Sequence, residues 1–185
     1  MLAIADTCLL IDWANYRRRN ILAELFHAIY VPEQVLDEVK SEGVLSWITT
    51  NFASGTFILF TPTGDIINEA RRIIDIVAKT PWARKIELPE AICLAAGKIL
   101  GYVVLTENRG AIMAREILPE YQEVRIYKSI DIIENAMIRG LIKVKDRDDI
   151  YRELEIFCED TKHIFRKDDV YRLIKRVSEG VLREN

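Results

Sequence analysis

A chain of 185 residues, half of them apolar, has material for one well-buried core and no more than a small appendage. Charged residues make up 30% and are mixed by sign, and the net charge of −3 excludes a strong overall attraction to nucleic acid or anionic lipid. Only local basic clusters remain, at Arg17-Arg18-Arg19, Arg71-Arg72 and Arg166-Lys167, each readable as a solvated helix face.

The first predicted strand is residues 2–6, a run of Leu, Ala and Ile that ends in Asp6. A short strand follows at 29–31, stopping at Pro32. "PEQVLDEVKSEG" then reads as a helix, with Pro32 before its start and Gly43 after its end. "FILFT" at 57–61 is the next strand, and "GDIINEARRIIDIVAKT" and "LPEAICLAAGKILG" repeat their apolar residues at helical spacing. "YVVLT" at 102–106 and "VRIY" at 124–127 are the last strands, and "SIDIIENAMIRG" is a helix with Ser129 as its expected N-cap. After Gly140 the strand signals stop. Residues 146–183 read as two amphipathic helices joined by a turn over 162–167.

Strands alternating with helices at these lengths predict an α/β fold, a parallel sheet covered on both faces. No repeat, low-complexity tract or Gly/Ser linker divides the chain. The division expected is a domain over residues 1–142 and a helical C-terminal extension over 143–185, packed on the same domain. Three widely spaced cysteines, with no C-x-x-C pair, fit a reducing intracellular compartment. With no signal peptide pattern and no apolar run near the ~18 residues of a spanning helix, the expectation is a soluble, cytoplasmic protein without a membrane segment.

Asp6 is the residue that needs explaining. An unpaired carboxylate among buried apolar residues costs roughly several kcal/mol. In an open parallel sheet ligands bind outside the carboxyl ends of the strands, and Asp6 falls at such an end. By itself it reads more readily as an N-cap or Asx turn. Four other residues share its setting. Glu38 lies on the flank of a helix whose buried face is set by Val35, Leu36 and Val39, whereas Asp37 points to water. Glu90 stands in the first turn of its helix, where the dipole favours an acid by about 0.3–1 kcal/mol. Glu107 and Asn108 follow the strand at 102–106, and Asn108 is readable as a helix cap. Carboxylates gathered in one crevice repel each other unless cations neutralise them, and hard oxygen donors suit Mg²⁺ or Mn²⁺.

With these residues in view, the sequence resembles the PIN-domain ribonucleases, particularly VapC-like toxins and their archaeal and bacterial relatives. The resemblance rests on "ADTCLLID", with Cys8 where Asn or Ser is usual, and on "YVPEQVLDEV" carrying Glu38. It continues in "EAICLAAGKILG" from Glu90 to Gly101 and in "VVLTENRG". The tail from "VRIYKSIDIIENAMIRGLI" onward is similar to a subgroup with a helical extension, so the resemblance covers nearly the whole chain. It implies a three-layer α/β/α sandwich and a Mg²⁺- or Mn²⁺-dependent endoribonuclease. Asp6, Glu38, Glu90 and Glu107 would be catalytic, the same four with Asn108 would hold metal, and Thr7 would support the cluster through its hydroxyl. Arg17, Arg18, Lys85 and Arg109 are the expected phosphate contacts. The implied partners are an RNA substrate, the antitoxin of a VapBC-type pair and a second copy of the chain. The apolar residues of the C-terminal helices, Ile150, Leu154, Ile156, Phe157, Val170, Leu173, Ile174 and Val177, serve either such a dimer or the chain's own core.

Two alternatives stay open. Cys8 and Asn108 depart from the family pattern at the site itself, which suits a PIN-like module that binds RNA or protein without cleaving. An RNA-processing nuclease that is not a toxin fits the same residues. The chain lacks a phosphate-cradling glycine loop, and neither His27 nor His163 has a triad-like neighbour in sequence. A receiver-type phosphotransfer domain would usually want a second acidic pair beside the first strand, which "MLAIADT" lacks.

Overall fold

The computed structural model describes residues 1–180. The last few residues of the second C-terminal helix expected from sequence lie outside the described residues. The core is a sheet of five strands, β1 (Leu2–Ala5), β2 (Ala28–Pro32), β3 (Phe57–Phe60), β4 (Val103–Leu105) and β5 (Ile126–Tyr127). All are parallel and lie in the order β3-β2-β1-β4-β5. Ala3, Ile4 and Ala5 of the central strand are fully buried, as are Val103 to Leu105 of its neighbour. Strands so enclosed need cover on both faces.

The helices supply that cover. They are α1 (Thr7–Asn15), α2 (Ile21–Leu25), α3 (Glu33–Glu38), α4 (Glu42–Ala53), α5 (Gly64–Ala78), α6 (Leu88–Leu100), α7 (Arg109–Ile117), α8 (Ser129–Ile138), α9 (Arg147–Thr161) and α10 (Lys167–Gly180). α6 packs on β1, β2 and β4 and is backed by α5, while α4 packs on β3 and α1. The arrangement is α/β and consistent with a three-layer α/β/α sandwich. No described helix is long and apolar enough to cross a membrane, and the three cysteines are free thiols.

Three local readings of the sequence give way to the structure. The helix expected to run to Gly43 stops at Glu38, and Gly43 lies in the first turn of α4, a helix the apolar spacing did not reveal. Val39 turns extended to bury its side chain, so core packing overrides helical continuation. The five-residue α2 was likewise not foreseen. Ser129 is not the N-cap of α8. Lys128 takes that backbone position, and its N–H donates to Asp131 Oδ2 at 2.8 Å. The Ser129 hydroxyl instead accepts from the Trp13 indole at 3.1 Å.

The C-terminal helices are locked onto the same core. Phe157, fully buried, stacks edge-on against Tyr16 with ring centroids 4.8 Å apart. Tyr16 donates its hydroxyl to the buried Glu153, which also pairs with Arg18 at 3.0 Å. Ile150, Leu154, Leu173, Ile174 and Val177 are buried within the chain, and Ile156 and Val170 pack against them. Their apolar surface is therefore spent on intrachain packing.

A close approach between α6 and the sheet is made at Gly97. A Cβ there would meet Val104 Cγ2 at 2.5 Å and Val124 Cγ1 at 3.0 Å. Alanine improves helix propensity by about 0.8–1 kcal/mol, but overpacking a well-filled core costs about 1–3 kcal/mol. Gly97→Ala is expected to lower stability by up to about 2 kcal/mol on balance, read as a fall in the urea midpoint with the slope unchanged.

Candidate active site

β1, β2 and β3 run out to one side of the sheet, and the chain then returns to place β4 on the other side of β1. The carboxyl ends of β1 and β4 therefore flank the point where strand order reverses, the position at which open α/β sheets form a crevice. Asp6 leaves β1 at this point and Thr106-Glu107-Asn108 leaves β4. Because α1, α6, α7 and α8 each run from this edge, their N-terminal dipole ends gather there too, a setting that favours carboxylates.

Asp6 is only 1% exposed. It caps α1, accepting the Leu9 N–H on Oδ1 at 2.9 Å, and takes the Thr106 hydroxyl on Oδ2. Thr106 in turn accepts the Asn108 N–H at 2.9 Å. Asn108 caps α7 with Oδ1, at 2.7 Å from Gly110 N, and donates Nδ2 to Glu90 Oε1 at 2.9 Å. Glu90 Oε2 closes a capping box on Glu87 N at 3.2 Å. On the other flank Thr7, the residue after Asp6, donates its hydroxyl to Glu38 Oε2 at 2.5 Å. One hydrogen-bonded line thus joins Asp6 to Glu90, with Glu38 held at the adjoining residue.

Thr106 is the residue that sequence reasoning missed. Its signal was present: a Thr closing a buried strand at the same edge as Asp6, two residues before a capping Asn. Glu107 and Asn108 part company. Asn108 enters the line just described, whereas Glu107 accepts the Ser129 N–H at 2.5 Å and faces His163 Nε2 at 3.8 Å. His163 also meets Asp12 of α1 at 3.0 Å. Burial pulls the imidazole pKa down, but the Asp12 hydrogen bond and the charge of Glu107 outweigh it, and the net direction is up. Glu107 therefore ties the site edge to the C-terminal hairpin.

Of the expected phosphate contacts, Arg17 is bonded to Asp160 through Nε at 2.9 Å and Nη2 at 2.8 Å, and Arg18 is paired with Glu153. Both are committed to α9. Lys85 and Arg109 are different. With Arg84, Asn108 and Gly110 they line an open depression of about 410 Å³ beside the site. Asp37 is exposed.

No cationic side chain bonds to Asp6, Glu38 or Glu90 among the described residues, and the electrostatics show the imbalance. Burial pushes the Asp6 carboxyl up to about 7, with Glu90 and Glu107 adding to the effect against the hydrogen bonds from Thr106 and Leu9. Burial raises Glu90 as well, and Glu38 adds to it. The nearby Cys8 thiol is pushed up to about 12 by burial and then by Asp6 and Glu90. An acidic cluster of hard oxygens with no protein counter-charge suits a divalent cation chemically. Among the described residues, however, no three acidic, His or Cys side chains stand in a metal-holding group. The hydrogen bonds to Asp6 and Glu90 hold the carboxylates to the protein instead.

Neither protein-family models nor curated proteins give a match to this chain.

The raised Asp6 carboxyl has a stability consequence with a definite sign. Between about pH 4 and pH 7 the folded state keeps a proton that the unfolded chain, with an ordinary value of 3.8, releases. The associated stability is complete below about pH 4 and is lost as pH rises through about 7. In chelator, Asp6→Asn is expected to melt higher than the unaltered protein at about pH 8 and at nearly the same temperature at about pH 4. Equal melting curves at both pH values would place Asp6 in a solvated, compensated setting.

Proposed function

We propose that the protein is a metal-dependent endoribonuclease of the PIN type. The observation that carries the proposal is the line from Asp6 through Thr106 and Asn108 to Glu90, at the reversal point of a parallel sheet, beside a depression whose charged lining is cationic. The motif resemblance, from "ADTCLLID" to "VVLTENRG", supports the same reading. Mg²⁺ or Mn²⁺ would be held by Asp6, Glu38 and Glu90, with Asn108 beside them, and when bound would supply Lewis acidity toward a phosphodiester and a lowered water pKa. The protein groups have separable tasks. Thr106 orients Asp6, Thr7 orients Glu38, and Asn108 holds the Glu90 carboxylate in place. Glu90, bonded through Oε1 to Asn108 and through Oε2 to the Glu87 N–H, would hold the metal or its bound water. Lys85 and Arg109 hold the substrate backbone without reading its sequence. Membership of a toxin–antitoxin pair, homodimer formation and a cytoplasmic location belong to the same proposal.

One observation favours a second reading. The Asn108 amide already donates to Glu90, and Glu87 N–H occupies its other oxygen. A carboxylate so satisfied needs no cation, as in a PIN-like module that binds RNA without turnover.

Cleavage of a labelled single-stranded RNA across a Mn²⁺ titration separates the two. The nuclease cleaves, and Asp6→Asn lowers the rate by about 10²-fold or more, the scale of a lost general base or its equivalent. Asn108→Asp restores a charge and raises cleavage at limiting metal. Glu107→Gln, at a side chain turned toward Ser129 and His163, leaves the rate within about fivefold, the equivalent of about 1 kcal/mol. Metal also raises the melting temperature, by the equivalent of about 2.7 kcal/mol at a hundredfold excess over its Kd, and this gain vanishes in Asp6→Asn. RNA binding with no cleavage by the unaltered protein or by Asn108→Asp would establish the binding module.

A further inference from the structure

On the nuclease reading above, we propose that the loop between α5 and α6, residues 79–87, is a clamp for single-stranded nucleic acid. Trp82 stacks on an unpaired base while Arg84, Lys85 and Arg109 hold the adjoining phosphates beside Asn108. Trp82 is 68% exposed, whereas the other two tryptophans, Trp13 and Trp47, are buried. Its ring pairs with no other aromatic ring among the described residues. So large an apolar ring left in water is a candidate for burial by a partner.

The loop that carries it is held firmly. Thr80 donates its hydroxyl to Ile76 O at 3.0 Å, Ala83 N–H bonds to Thr80 O at 3.0 Å, and Ile86 is buried. At the far end, the Lys85 carbonyl lies against the first turn of α7. A Cβ on Gly110 would come within 2.3 Å of that oxygen, so only glycine permits the approach. This contact brings Arg84 and Lys85 to the same depression as Arg109.

Charge chooses the occupant. The chain as a whole is at −3, yet the charged residues lining this depression are three cations with no acid. The cavities beside α10 are mixed, with Glu116 and Asp169 among their arginines and lysine. Arg84 and Arg109 form no ion pair among the described residues, and Lys85 pairs only with Glu87, 2.6 Å away on an exposed surface. Such a pair is weak and exchanges readily for a phosphate. Trp82 and Lys85 are three residues apart, so their Cα atoms lie within about 11 Å of each other, close enough for one strand to meet both side chains. A duplex hides its base faces, so the clamp selects unpaired strands. Neither stacking nor phosphate contact reads the 2′-hydroxyl, so RNA and DNA single strands are both held.

The test is a titration in EDTA, which prevents metal-dependent cleavage, with oligouridine and oligothymidine of roughly ten nucleotides, within the range of single-strand sites. Both strands are expected to quench the exposed tryptophan emission saturably, and a blunt duplex of equal length to leave it unchanged. Trp82→Ala is expected to remove the quenching and weaken affinity by about tenfold, while Trp82→Phe retains most of the binding. Arg84→Ala with Arg109→Ala should reduce the slope of log affinity against log salt by about 1.4, at about 0.7 per phosphate contact. Undiminished binding by Trp82→Ala, or equal quenching by the duplex, overturns the clamp. So does equal binding of polyglutamate, which would indicate an acidic protein partner. Quenching without cleavage in Mn²⁺ leaves the clamp and removes the nuclease. Cleavage that Trp82→Ala does not alter removes the clamp and leaves the nuclease.

Discussion

The structure around the sheet edge depends on one buried carboxylate. Asp6 ends the central strand, caps α1 through the Leu9 N–H and accepts the Thr106 hydroxyl from the end of β4. It therefore does two kinds of work. As a cap it satisfies one of the orphan N–H groups at the start of a helix, and as the partner of Thr106 it joins two adjacent strand ends across the reversal point of the sheet. An apolar residue in its place would leave the Leu9 N–H and the donor hydrogen of the Thr106 hydroxyl without acceptors inside the core, and buried unpartnered polar groups cost about 1–3 kcal/mol each.

What the hydrogen bonds do not supply is charge. Glu90 and Glu38 are held at the same edge, by Asn108 and Thr7 respectively, and every group in the line is either neutral or acidic. Helix N-termini offset part of the repulsion, but the Asp6 carboxyl still rises to about 7. The site is thus built at a cost to stability near neutral pH, as expected where binding or chemistry needs a poised, undercompensated group. The neighbouring depression supplies charge of the opposite sign on Arg84, Lys85 and Arg109. Acids and cations stand side by side there, meeting at Asn108.

The C-terminal hairpin contributes more than extra length. Its aromatic residue Phe157 completes the cluster around Trp13 and Tyr16, and Arg17 and Arg18, though exposed, pair with its acids. Through His163 it also reaches Asp12 and Glu107. That contact explains why Glu107, adjacent to Asn108 in sequence, serves a different end of the molecule. Successive residues leaving a strand project to opposite sides, so one joined the carboxylate line and the other the hairpin.

The sequence by itself determined the α/β class of the fold and singled out Asp6, Glu90 and Asn108, which the structure brings to one sheet edge. Five strands alternating with helices could be read from apolar runs and turn residues, most plainly β1 and β4, whose burial on both faces leaves a continuous apolar signature, whereas the edge strand β3 keeps Ile58 and Leu59 exposed. Asp6 was legible because a carboxylate in such a run contradicts its surroundings, and Asn108 because a helix followed it. Strand order, and hence the reversal point between β1 and β4, belongs to tertiary structure, since no local pattern records which strand becomes a neighbour. The same holds for Thr106, whose role exists only when β1 and β4 lie together. It holds for Arg17 and Arg18, whose charges were plain but whose partners lie more than a hundred residues away. α4 escaped because its start follows a three-residue break at Val39 that core packing, not helix propensity, imposes. Local chemistry is written in residue types and spacing, and the partners of each group are set only when the chain closes.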